Sequence, residues 1–343
     1  MGTAMIYFRW AFAVTALGLA GTFWLGWRYE GDLGGALSFL LVGAVLAVLE
    51  ISLSFDNAIV NANKLKTMSP VWQRRFLTWG ILIAVFGMRI VFPLAVVAVA
   101  ARIGPVEAVR LAATEPQDYA RIMAESHLSI AAFGGTFLML VSLAFFIDAD
   151  KDVDWIHRIE TRFRSMSVVP GLAYGLVLVT VLVFGGLLPA HERTTFFAAA
   201  LLGALVFLAV ETLNRVLEAK GATRAAAQGG AGAFLYLEVL DASFSFDGVI
   251  GAFALTQNLF LIAIGLGIGA MYVRSMTIML VERRTLNQFR FLEHGAFYSI
   301  LALSLVMFAQ SHVHVPEVVT GLLGAAIIAI SLAASIRFNR QAA

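Results

Sequence analysis

The feature that most limits what this chain can become is the recurrence, from end to end, of apolar stretches about 20 residues long, the length an α-helix needs to cross the hydrocarbon core of a bilayer. Ten such stretches can be read, over residues 6–27, 35–60, 77–101, 128–147, 169–189, 195–214, 232–256, 259–281, 294–310 and 317–336. Only 13% of the 343 residues are charged and the mean hydropathy is +0.86, against about 25% charged in soluble domains. The expected fold class is an all-α polytopic membrane protein of about ten transmembrane helices. The first stretch, Ile6 to Trp27, is too long for a signal-peptide core, contains tryptophan and lacks a small-x-small cleavage site, so it is read as a mature span.

Lysine and arginine orient the spans, because cytoplasmic loops are enriched in them. The even-numbered connections carry Lys64, Lys66, Arg74 and Arg75, then Lys151, Arg158, Arg162 and Arg164, then Arg215, Lys220 and Arg224, then Arg283, Arg284 and Arg290, with Arg337 and Arg340 on the tail. The odd-numbered ones carry Arg28, Arg102, Arg110, Arg121 and Arg193. Both termini are therefore expected to be cytoplasmic. No basic block suited to nucleic acid occurs. Cysteine is absent, which excludes thiol catalysis, disulfides and thiolate metal sites.

Polar residues inside the spans are not scattered. "EISLSFDNAI" (Glu50 to Ile59) returns 191 residues later as "DASFSFDGVI" (Asp241 to Ile250), with five identities and one acid-for-acid exchange. The pairs are Glu50 with Asp241, Ser52 with Ser243, Ser54 with Ser245, Phe55 with Phe246, Asp56 with Asp247 and Ile59 with Ile250. Arg89 and Arg274 each stand alone in the next apolar stretch, and His127 and His294 each open the one after. A unit of five spans enters its second copy upside down. Residues 1–190 and 191–343 are thus expected to form two five-helix inverted repeats, an architecture whose sites lie near the midplane where the repeats meet.

An acid at the centre of a span costs about 2.5–3.5 kcal/mol, so four would cost on the order of 10 kcal/mol unless paired, protonated or bound to a cation. Glu50, Asp56, Asp241 and Asp247, with Asn57, Ser54 and Ser245 beside them, are accordingly the candidate ligands of a positively charged substrate. On one unbroken helix residues 50 and 56 diverge by about 240°. A break near Ser52 to Asp56, where N-cap residue types cluster, would bring both acids to one place, and Gly248 offers the second copy similar freedom. An all-oxygen shell suits Mg²⁺, Ca²⁺ or Mn²⁺ better than Cu(I) or Zn²⁺, and Na⁺ with protons stays open.

Arg89 and Arg274 are candidate charge partners for the carboxylates, or members of a fixed salt bridge. His127 and His294 are candidates for proton coupling, or capping residues. Glu211, Asn214 and Glu238 read as interfacial, with ion access as the alternative, and His312 and His314 as members of a solvated loop. "IDADKDVDW" (Ile147 to Trp155) lacks the glycine and the closing glutamate of an EF-hand and reads as a solvated loop. Gly134, Gly135 and the Gly265-x-Gly267-x-Gly269 run read as sites of close helix packing.

At "EISLSFDNAIVNA", "FSFDGVIGAF", Arg89 and Arg274 the sequence resembles the TerC family of integral membrane proteins, in the LysE-type transporter superfamily, and the branch of it catalogued as a domain of unknown function. The motif-bearing core spans residues 35–101 and 232–310. The resemblance implies Mn²⁺ export across a bacterial inner membrane, with Glu50, Asp56, Asn57, Asp241 and Asp247 as ligands. At Gly248 the chain departs from the pattern, which has a polar residue after the second aspartate. Other members are linked to supplying metal to exported enzymes or to tellurite resistance.

The expected function is a secondary transporter with a transported divalent cation, Mn²⁺ first and Ca²⁺ next, and no tightly bound cofactor. The alternatives are a metal-binding scaffold that supplies exported proteins and a Ca²⁺/cation exchanger. An intramembrane aspartyl protease is set aside: a dyad needs two acids, the repeat supplies four, and the Tyr-Asp and Gly-x-Gly-Asp contexts are missing. Partners are the metal ion and the bilayer; oligomeric state is not encoded in these residues.

Overall fold

A computed structural model describes residues 2–80, 83, 87, 90–149, 151–219, 230–256, 258–283, 285–313 and 315–342. In chain order the helices are α1 (Gly2–Glu30), α2 (Leu33–Leu53), α3 (Phe55–Lys66), α4 (Pro70–Arg75), α5 (Phe92–Ala101), α6 (Pro105–Thr114), α7 (Pro116–Glu125) and α8 (His127–Ile147). They continue as α9 (His157–Ser165), α10 (Leu172–Leu187), α11 (Ala190–Ala219), α12 (Ala231–Leu255), α13 (Leu259–Glu282), α14 (Thr285–Gln288), α15 (Leu292–Gln310) and α16 (Glu317–Ala342). A π-helical turn, Phe76–Gly80, follows α4. No strand occurs among the described residues.

Helices α1, α2, α8, α11, α13, α15 and α16 contain segments long and apolar enough to cross a membrane, and α9 with α10, meeting at 112°, make an eighth if taken as one bent element. The chain is an all-α, multi-pass membrane protein. The ten expected stretches differ from this for local reasons. Stretch 35–60 is divided at Ser54 into α2 and α3. Stretch 77–101 holds the π-helical turn and the ten-residue α5, with residues 81, 82, 84–86, 88 and 89 outside the described set. Stretch 169–189 is a helix of 16 residues, and stretch 232–256 is one helix burdened by Glu238, Asp241 and Asp247.

Turn chemistry is set locally. Asp32 caps α2 by accepting the Gly35 N–H (2.6 Å) and Asn258 caps α13 by accepting that of Leu261 (3.1 Å). Proline sits in the first turn of α4, α5, α6 and α7, where its missing N–H is harmless. Gly171, at φ +75°, makes the corner between α9 and α10.

Without a strong hydrophobic drive inside lipid, helices associate through close contact at small residues, and this bundle is built that way. Helix α2 packs on α1 and α13, α3 on α13 and α15, α8 on α11 and α15, and α16 on α15. Gly43 lies against Thr22, Gly265 against Leu46, Gly269 against Glu50, and Gly134 and Gly135 against Met307, so the close-packing readings of Gly134, Gly135, Gly265 and Gly269 hold. Short α6 and α7 bring Ala112, Tyr119 and Met123 into one buried cluster with Leu46 and Val249.

One expectation is overturned in part. Asp148, Ala149 and Asp152 of the Ile147–Trp155 segment are exposed, as a solvated loop requires, but the Lys151 and Asp154 side chains are buried in an ionic knot. Lys151 Nζ meets Glu160 Oε2 at 2.6 Å and Arg164 Nη2 meets Asp154 Oδ2 at 2.7 Å. The Trp155 and Ile156 N–H groups donate to Glu160 Oε1 (3.1 and 3.0 Å). Alternating acids read as solvated when their partners are unknown. Here Glu160, Arg164 and the loop's own Lys151 supply them.

Candidate cation site at the first motif

The chain between Leu33 and Lys66 would be one helix were it not interrupted at Ser54 (φ −102°, ψ 15°). The Ser54 hydroxyl turns back to Glu50 and donates to its Oε1 (3.0 Å). Two residues on, Asp56 accepts the Asn57 N–H on Oδ1 and the Ser299 hydroxyl of α15 on Oδ2, both at 2.8 Å. Glu50 and Asp56 are 1% and 5% exposed. Among the described residues no Lys, Arg or His pairs with Asp56. Beside it lies a cavity of about 20 Å³ lined by Ser52, Asp56, Phe244, Gly248, Ser299, Thr320 and Gly324 among others, room for one water-sized occupant.

Glycines make that room. A Cβ on Gly248 would stand 3.0 Å from Glu50 Oε2, one on Gly269 would collide with the Glu50 Cβ and Cγ, and one on Gly324 would stand 2.7 Å from Ser299 Oγ. The end of Glu50 thus occupies the space that a side chain at position 248 would take.

The second motif copy lies on α12, which runs unbroken from Ala231 to Leu255. The break expected to be shared by both copies is therefore confined to the first. Asp241 accepts from the Asn61 Nδ2 of α3 (2.9 Å). Ser245 and Asp247 lie on α12 with side chains outside the described residues. Thus the described acids meet three different partners: Ser54 for Glu50, Ser299 for Asp56 and Asn61 for Asp241. No group of three or more His, Asp or Glu residues at metal-holding distance occurs among the described residues.

Other expected residues fall as follows. Arg274 donates from Nη2 to the Leu77 carbonyl (3.0 Å), and its Nε has no partner; Arg89 is outside the described residues. His127 opens α8 and is half-buried. His294 Nε2 lies 2.7 Å from the Val153 carbonyl and 3.2 Å from Glu160 Oε2, in the ionic knot. Glu211 accepts from the Tyr174 hydroxyl (3.3 Å), His312 meets the Phe184 carbonyl (3.0 Å), and the Asn214 side chain and His314 are outside the described residues. Sequence reasoning missed Ser299, a hydroxyl in an apolar span that Tyr298 and Ser304 share and that nothing in the sequence singles out. It also passed over Asn61, which the spacing of Asn57 and Asn61 on one face of α3 would have flagged.

The family described as "Protein of unknown function (DUF475)" matches this chain over residues 55–342. No curated protein and no solved structure matches it.

Proposed function

The chain belongs to that DUF475 family, and we propose that it is a secondary transporter exporting a divalent cation, Mn²⁺ in the first place. The observation that carries this reading is Asp56: a carboxylate 5% exposed, inside an interrupted apolar helix, facing hydroxyls and a small cavity with no described basic partner. Such a group asks for a cation or a proton. The polar side chains at the cavity, Asp56, Ser52, Ser299 and Thr320, with Glu50 Oε2 beside Gly248, offer oxygen alone in an otherwise apolar lining, which favours a hard cation. The finer parts of the reading are the TerC-like, LysE-type ancestry, the inverted repeats over 1–190 and 191–343, a bacterial inner membrane and cytoplasmic termini. The ancestry and the bacterial inner membrane rest on the resemblance to the TerC family, the inverted repeats on the repeated motif, and the cytoplasmic termini on the distribution of Lys and Arg.

In this scheme the cation leaves water for the Asp56 carboxylate, with Ser299 and Asn57 holding that carboxylate in place when the ion is gone. The test is Mn²⁺ and Ca²⁺ flux into proteoliposomes for wild type, Asp56→Asn and Asp247→Asn. The expected result is Mn²⁺ flux in wild type and loss in both variants, each of them folded. Metal binding by wild type without flux would replace the transporter with a metal-supplying scaffold. Flux indifferent to both aspartates would end the reading.

A further inference from the structure

Among the described residues, several buried acceptors on α3 and α12 have no hydrogen-bond donor. Glu238, on α12, is 6% exposed and neither carboxylate oxygen has a hydrogen-bond partner. Asn61, 3% exposed on α3, gives its Nδ2 to Asp241 while its Oδ1 meets no donor. The Oδ1 of Asn57, one turn earlier on the same face of α3, is likewise unmatched. Leaving a buried acceptor unmade costs about 1–3 kcal/mol, more when it is charged, so three side chains in this state point to something that supplies positive charge.

We propose that Glu238, Asp241 and Asn61 form a second cation site, between the Asp56 cavity and the Lys64 end of α3, which a hard divalent cation occupies in transit. Glu238 and Asp241 are three apart on α12 and share a face. Asn61 bridges to that face from α3. Asn61 is five residues beyond Asp56, about 7–8 Å along the helix, so the two sites are separate. Space for the carboxylate exists because a Cβ on Gly80, in the π-helical segment that opens at Phe76, would stand 2.8 Å from Glu238 Oε1. Arg274 reaches the same turn at Leu77 yet makes no ion pair with Glu238, so the acid is not neutralised from there. A proton on Glu238 would neutralise it but leave the Asn61 and Asn57 carbonyl oxygens unmatched. A cation satisfies carboxylates and amide oxygens together.

The inference rests on the transport reading for the identity of the ion, and its test separates the two. Full-length protein in lipid nanodiscs is titrated with Mn²⁺, and bound metal is counted by electron paramagnetic resonance. Two ions per chain are expected in wild type, one in Glu238→Gln and one in Asp56→Asn. Asn61→Ala, which changes no charge, is expected to weaken by roughly tenfold the same ion that Glu238→Gln removes. Size-exclusion profiles check that each variant is folded. Wild-type stoichiometry and affinity in both Glu238→Gln and Asn61→Ala overturns the second site, and the Asp56 reading then stands if Asp56→Asn alone loses its ion. Loss in Glu238→Gln with none in Asp56→Asn supports the second site and removes the first. No binding by wild type removes both.

Discussion

The two copies of the repeated motif share serine, phenylalanine and aspartate at matched positions, yet one is interrupted at Ser54 and the other runs as a single helix. Part of each copy behaves alike. Ser52 donates to the Val48 carbonyl (2.8 Å) and its counterpart Ser243 to that of Val239 (2.9 Å), the same bond one helical turn back. The copies part at what surrounds them. In the first, Ser54 turns to Glu50, Ser299 reaches Asp56, and Gly269 and Gly324 bring α13 and α16 against the carboxylate-bearing segment. In the second, Asp241 is met by Asn61. Near-identical local sequence thus yields two backbones in two different surroundings.

The largest blow to the first copy is expected from Gly269→Val. Its Cβ collides with the Glu50 stem, which cannot swing away, so destabilisation at or above about 3 kcal/mol is expected, read as a lowered melting temperature in detergent. Gly248→Ala is the milder control, since it meets only the flexible end of the same side chain. Equal effects would mean that Glu50 is not gripped as described. Next comes Ser299→Ala, which strips Asp56 of a donor and should cost about 1–2 kcal/mol. Ser243→Ala, in the unbroken copy, removes only a bond to its own helix and should stay within about 0.5 kcal/mol. A Ser243 effect as large as that of Ser299 would erase the distinction between the copies.

The smallest effect, nil near neutral pH, concerns the helix that braces the broken copy. Helix α15 carries Ser299 and is tied at its start through His294 to Glu160 on the polar helix α9. Burial alone would raise the Glu160 carboxyl, but hydrogen bonds from His294, Lys151 and the Ile156 N–H outweigh it and hold it at about 2 instead of 4.5. A carboxyl held low in the folded state adds stability above its ordinary value and loses it as pH falls. Melting temperature should therefore fall between about pH 4.5 and 2 in wild type. In Glu160→Gln that acid-dependent part should be flattened, and an unchanged slope would detach the knot from the bundle's stability.

The sequence alone determined the class, because apolar stretches of membrane length leave a helical bundle as the economical way to satisfy the backbone, and it located the motif acids, because charge in an apolar span is expensive. It also placed glycines at the close contacts, since small residues are what lets helices approach. Tertiary structure decided the rest. Whether Asp56 meets Ser299 or another acid depends on a group far along the chain, brought within 2.8 Å, and the knot that buries Lys151 closes only when His294 of α15 reaches the same Glu160 carboxylate. Hydrophobicity sums along a sequence and can be read from it. A hydrogen bond between helices depends on where its partner stands, and that is fixed only when the helices pack.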